Sequence, residues 1–204
     1  NSNGGSGSGA VTLHPGQAMQ IIDSMVVFCN ADPLSRLILE MVSHSLGPRE
    51  LQKFREEFQT MDNSHTGRLC RKDFLAGLSS VASDREVDLK AVFDIVSVER
   101  RYGRASDLSY HEYVAAAMHG RVAVTEARVL LVCSYLDPEQ RGAISVSSLR
   151  SALGEDVPEN ELQQMIAVAD ADRDGLVTKE DILDLWQRVW GAVSDGNDPY
   201  RHKQ

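Results

Sequence analysis

The chain has 204 residues, 30 of them acidic and 21 basic, for a formal charge of −9. That length allows one large domain or two small ones, each with its own core, and the acidic balance attracts cations and argues against nucleic acid as a partner. The three cysteines, Cys29, Cys70 and Cys133, are widely spaced with no CxxC pair and no histidine at zinc-site distance, so neither a disulfide frame nor a zinc site is expected and an intracellular, cytoplasmic setting is.

No Ser/His/Asp or Cys/His set has a supporting context and no phosphate loop is present, so the chain is read as carrying no catalytic residues. Apolar runs such as Met25 to Cys29 fall far short of the roughly eighteen residues a membrane span needs.

Residues 1–16 open with the Gly- and Ser-rich run Asn1 to Ala10, which lacks the charged start and apolar centre of a signal peptide and reads as a flexible linker. Residues 17–47 are amphipathic. Met19, Ile22, Met25 and Val26 form one stripe at helical spacing, and Leu34, Leu37, Ile38, Met41 and Val42 form another. The break falls at Asn30-Ala31-Asp32-Pro33, where Asp32 can cap and Pro33 can open the second helix. Two readings stay open for these helices. They complete the core, or they are a built-in target for the rest of the chain, because helix-in-groove docking uses the same apolar anchors.

From residue 48 onward an apolar helix, a Gly-bearing polar loop and a second helix recur four times. This is the EF-hand pattern, in which positions 1, 3, 5, 7, 9 and 12 of a twelve-residue loop offer oxygens to a cation. The expected architecture is all-α, with two lobes of paired EF-hands at residues 48–120 and 121–192 and a tail at 193–204.

The first loop, Asp62 to Asp73, keeps carboxylates only at its ends. Asp62, Ser64, Thr66, the Arg68 carbonyl and Asp73 make a weak second metal candidate, since affinity follows ligand charge. The second repeat is recognised by Leu108 to Tyr113, with Glu112 at the closing position. Its loop is rebuilt: Ser97 to Glu112 spans sixteen residues and carries Arg100, Arg101 and Arg104, whose charges repel a cation. This basic cluster reads as a solvated loop, with phosphate or an acidic partner as the other possibility. The third loop, from Asp137, has Pro138 and Arg141 inside it and Ser148 at its close, so it is read as a structural partner without metal.

The fourth loop, Asp170 to Asp181, matches D-x-D-x-D-G over its first six positions. Asp170, Asp172 and Asp174 offer hard oxygens, Gly175 supplies the turn that lets the Leu176 carbonyl face the ion, and Thr178 acts through a water. The closing residue is Asp181 where the motif usually has Glu, a methylene longer. The shorter side chain lowers the coordination number and moves the preference from Ca2+ towards Mg2+. The apolar residues expected on short pairing strands, Leu69, Leu108, Ile144 and Val177, lie 39, 36 and 33 residues apart, and each closing position is followed by an apolar residue: Phe74, Tyr113, Leu149 and Ile182.

The order of these features resembles the regulatory tail of calcium-dependent protein kinases of plants and apicomplexan parasites, where a junction segment precedes a calmodulin-like domain of four EF-hands. Ala31 to Leu37 running on through Ser45 to Leu51 is similar to the family's junction helix entering its first EF-hand, and Leu108 to His119 is similar to its second EF-hand exit. The resemblance covers roughly residues 17 to 190. It implies a Ser/Thr kinase domain in cis before Asn1, residues 17–47 as junction helices, and calcium-driven movement of lobes and junction that releases the kinase. One departure is plain: Met19 to Leu46 contains Arg36 alone among Lys and Arg, where the family's junction is rich in both.

The leading expectation is therefore a calcium-binding regulatory domain acting on an attached kinase, its partners being that kinase and its own junction helix. The competitors are a free-standing adaptor of the calmodulin or calcineurin-B type that grips an amphipathic target helix in trans, and an EF-hand scaffold that does not switch.

Overall fold

The computed structural model describes residues 13–82, 87–97, 107–154 and 156–190. Most of the expected N-terminal linker, the tail at 193–204 and the arginines at 100, 101 and 104 lie outside the described residues.

Local chemistry starts and stops the first two helices. Pro15, at the first helical position, opens α1 (Pro15–Asn30), and His14 and Gln17 close a capping box ahead of it. The helix thus begins slightly before the linker boundary expected at residue 16. It ends because Asp32 precedes a proline and is held extended, at φ −67° and ψ 163°. The Asp32 carboxylate then accepts the Ser35 amide at 2.9 Å and starts α2 (Pro33–His44). Arg36 donates to the Cys29 carbonyl at 2.6 Å, so the one arginine of this segment ties the end of α1 to α2.

Four helix–loop–helix units come next. The first joins α3 (Pro48–Met61) to α4 (Arg71–Ala82), and the second joins α5 (Leu89–Val96) to α6 (Tyr110–Ala117). Their loops meet through β1 (Arg68–Leu69) and β2 (Leu108–Ser109), antiparallel with Leu69 opposite Leu108. The third joins α7 (Glu126–Leu136) to α8 (Val146–Leu153), and the fourth α9 (Glu159–Ala169) to α10 (Lys179–Trp190). These meet through β3 (Ala143–Ile144) and β4 (Val177–Thr178), with Ile144 opposite Val177. The all-α fold of paired EF-hands is as the sequence indicates, and the four apolar strand residues pair two by two. Each is buried, because a two-residue ladder leaves its side chains in the core between the helices.

The first two helices join the EF-hand pairs. Helix α1 lies against α4, α5 and α6 of the first pair, while α2 lies against α6 and also against α7, α9 and α10 of the second. A single apolar cluster runs from Leu13 through both helices to Trp186. The stripe expected on α1 is rotated in the structure. Ala18, Ile21, Ile22, Ser24, Met25 and Phe28 are buried, whereas Met19 is 38% exposed and Val26 half-buried. On α2 the buried set is Leu34, Ile38, Leu39 and Val42, with Leu37 and Met41 at its margin.

Phe28 is 2% exposed at the last turn of α1. Phe28→Ala removes a large buried ring and should destabilise the chain by about 3–5 kcal/mol, read as a lowered urea midpoint. Met19→Ala, on the outer face, should stay within about 0.5 kcal/mol.

Candidate metal centre

The fourth loop begins where α9 ends at Ala169 and closes in the first turn of α10. Its backbone makes two left-handed turns, at Arg173 (φ 64°) and Gly175 (φ 84°). Glycine meets that requirement without a Cβ penalty. The Gly175 amide donates to Asp170 Oδ2 at 2.8 Å, the Asp174 amide to Asp170 Oδ1 at 3.2 Å, and the Leu176 amide to Asp174 Oδ1 at 2.8 Å. This coil brings carboxylate oxygens of Asp170, Asp172 and Asp174 within 4.8 Å of one another, the one such cluster among the described residues. Oxygens so spaced fit a hard divalent cation bound at roughly 2.0–2.6 Å.

The crowding is visible in the acidities. At Asp170 partial desolvation raises the pKa, but amide hydrogen bonds led by Gly175 outweigh it and hold the carboxyl below its usual range. At Asp172 the hydrogen bond from the Asp174 amide favours the charged form, yet the neighbouring carboxylates of Asp174 and Asp170 push the group above its usual range. A bound cation reverses that repulsion.

The other two predicted side chains are bonded to each other. Asp181 Oδ2 accepts both the Thr178 amide at 2.8 Å and the Thr178 hydroxyl at 2.6 Å, while the Asp181 amide donates back to Thr178 Oγ1 at 3.3 Å. Together they form the capping box that starts α10. Equivalent boxes start α6, through Ser109 and Glu112, and α8, through Ser145 and Ser148. The Ser/Thr-x-x-Asp/Glu/Ser spacing that signals them is present in the sequence, where it coincides with the ligand positions and is masked by them.

In the first loop the oxygens satisfy one another. Asp62 is buried and accepts from the Gly67 amide at 2.8 Å and the Ser64 hydroxyl at 3.0 Å. Thr66 Oγ1 donates to the Arg68 carbonyl at 2.9 Å, and Asp73 accepts from Asn63 at 3.2 Å. Asp62, Ser64, Thr66 and Arg68 are thus drawn together around one carboxylate, with Asp73 bonded elsewhere. Desolvation raises the Asp62 pKa and those hydrogen bonds, led by Gly67, bring it below its usual range.

In the third loop Asp137 accepts the Gly142 amide at 2.7 Å, while Arg141 pairs with Glu139 on the exposed surface. Burial pushes the Cys29 and Cys133 thiols up to about 11, so both stay protonated at neutral pH.

The EF-hand domain pair family model matches residues 140–188. Calcium-dependent protein kinase 11 of Oryza sativa subsp. japonica is 22% identical over 85% of this chain and 30% of its own length. Calcium-dependent protein kinase 2 of Zea mays is 24% identical over 79% of this chain and 31% of its own. Calcium-dependent protein kinase 8 of Arabidopsis thaliana is 24% identical over 76% and 29%. The chain therefore spans about three tenths of the length of these curated relatives. A C-terminal domain known from crystallography covers 83% of this chain and 97% of itself, with 15% identity and a TM-score of 0.41.

Protons and metal compete for the same oxygens, and Asp172, with its raised pKa, takes up a proton before Asp170 does. Calcium affinity should fall as the pH drops from neutral towards about 4. Asp172→Asn should weaken binding about tenfold at neutral pH and flatten that dependence, as affinity follows ligand charge. Calorimetric titrations at several pH values decide this; an unchanged slope in the variant would assign the competition to another group. Residues 140–188 thus match an EF-hand domain pair, and similarity to the calcium-dependent protein kinases extends over most of the chain's length.

Proposed function

We propose that this chain is the metal-responsive regulatory region of a Ser/Thr protein kinase, with one working cation site formed by Asp170, Asp172, Asp174, the Leu176 carbonyl, Thr178 and Asp181. The observation that carries the reading is the placement of α1 and α2. Helices α1 and α2 of the same chain already lie against the EF-hand pairs and share one apolar cluster with both, so a change in the loops is passed to them directly. A regulatory region has this form when it governs a domain attached to those helices. The names of the curated relatives support calcium and a kinase as the two ends of the relay. On this reading the protein works inside the cell, where a protein kinase meets its nucleotide. Among the described residues no helix is long and apolar enough to cross a membrane.

The metal preference follows from Asp181. Its carboxylate is one methylene shorter than Glu and is engaged by Thr178, so it reaches a cation through one oxygen or a water. That lowers the coordination number and favours the smaller octahedral ion relative to a site closed by Glu. Asp62, Ser64, Thr66, Arg68 and Asp73 remain at most a low-affinity site, because their donors are bonded to one another.

A single experiment separates the possibilities. Titration of calcium and then magnesium into the chain should show one dominant site, which Asp170→Ala abolishes and Asp181→Glu shifts towards calcium by about tenfold or more. Two tight sites that survive Asp170→Ala would overturn the ligand assignment. In a longer protein bearing an upstream kinase domain, Asp170→Ala should remove calcium stimulation of peptide phosphorylation. Calcium binding with no change in that activity would favour the scaffold.

A further inference from the structure

The segment between α6 and α7 is held to the first EF-hand pair by a buried ionic cluster that the metal site does not use. Arg121, on this segment, places its guanidinium against Glu57 of α3, and their side chains are only 7% and 4% exposed. Tyr113 of α6 donates to the second Glu57 oxygen at 2.9 Å. Arg121 Nη1 donates to the Ala117 carbonyl at 3.2 Å, and its Cζ stands 4.7 Å from the centre of the Phe54 ring. Lys53 donates to the Arg121 carbonyl.

Two further contacts extend the attachment. Ser24 of α1 places its hydroxyl 2.8 Å from the His119 carbonyl, so α1 is anchored to the same segment. Arg128 bonds the Ala123 carbonyl and both oxygens of Glu50, at 2.7 and 2.6 Å, at the start of α7. Removing either partner of a buried pair strands a charge away from water, so such a cluster opens only at substantial cost.

We propose that Glu57, Arg121 and Tyr113 form a latch that fuses residues 118–125 to the first EF-hand pair and keeps α1 clamped there whatever the metal state of the loop at 170–181. The metal-coupled half of this statement rests on the proposed cation site. The first loop needs no ion to satisfy its donors, so metal loading acts on the second pair and on α2, which lies against α7, α9 and α10. The N-terminal pair is a fixed grip and the C-terminal pair a responsive one.

Hydrogen exchange of the whole chain, read by mass spectrometry with and without calcium, tests both halves. Calcium should slow exchange in residues 159–190 about tenfold or more and leave residues 15–30 and 118–125 within about twofold. Without any metal, Arg121→Met should speed exchange in 118–125 and 15–30 by about tenfold or more. The double variant Glu57→Gln with Arg121→Met strands no charge and is expected to keep the fold, judged by unchanged circular dichroism, while still freeing 118–125. Calcium protection of α1 equal to that of α9 and α10, or native exchange at 118–125 in both variants, would overturn the latch. Because the variant arm is read without metal, a chain that binds no calcium overturns the cation site while the latch is still decided by Arg121→Met.

Discussion

Each loop described from end to end is organised by one interaction, the acceptance of a glycine amide by the carboxylate that opens the loop. Asp62 holds Gly67 at 2.8 Å, Asp137 holds Gly142 at 2.7 Å and Asp170 holds Gly175 at 2.8 Å. Between them the backbone turns left-handed at His65, Gln140 and Arg173, with φ from 52° to 64°. A side chain in that region costs on the order of 1–2 kcal/mol, which persists only where surrounding bonds fix the turn. The first-position carboxylate supplies one of those bonds, and it does so in loops with no ligand cluster. Asp62 and Asp137 are therefore accounted for as parts of the coil. What distinguishes the fourth loop is the pair Asp172 and Asp174, because those two carboxylates turn a folded loop into a charged one.

The same economy governs the far end of the loop. The residue that closes a loop is also the third residue of the exit helix, where its side chain can reach back to the amide three residues earlier. Glu112, Ser148 and Asp181 all do this. For Ser148 the cap is the whole role. For Asp181, on the proposed reading, the cap and the cation would draw on one short carboxylate, and the geometry that starts α10 would limit coordination. On that reading, the identity of the closing residue sets helix initiation and metal preference together.

These relations explain which features are legible in the sequence. The Asp32-Pro33 cap, the three-aspartate loop and the four strand residues depend on neighbours within a few positions, and the structure places each of them in its motif. The face of α1 is not legible in the same way. Its apolar residues are spread widely enough that Met19 fits a stripe as well as Ile21 or Phe28 does, and the choice is made by α4, α5 and α6, which come much later in the chain. The Glu57–Arg121 pair lies beyond any local pattern, with its members 64 positions apart. The repeats alone suggest separate lobes; the continuous core appears only once α1 and α2 are seen to cover both pairs.

Covalent attachment changes what those covered faces can do. A docked helix on a short tether competes at an effective concentration on the order of millimolar, and α1 and α2 are joined to α3 by only a few residues. A separate helix arriving in solution must displace a neighbour that never diffuses away, so it needs either high affinity or a prior loosening of the contact. Metal supplies such loosening only where it binds one arrangement of the helices better than the other, and the shift it produces is limited by that difference. On the proposed reading, with three carboxylates gathered in the fourth loop and the first loop satisfied internally, that differential energy enters through the fourth loop among the described residues. On that reading it reaches α2 through α9 and α10, which lie against it, and α2 is the element whose position the cation would set.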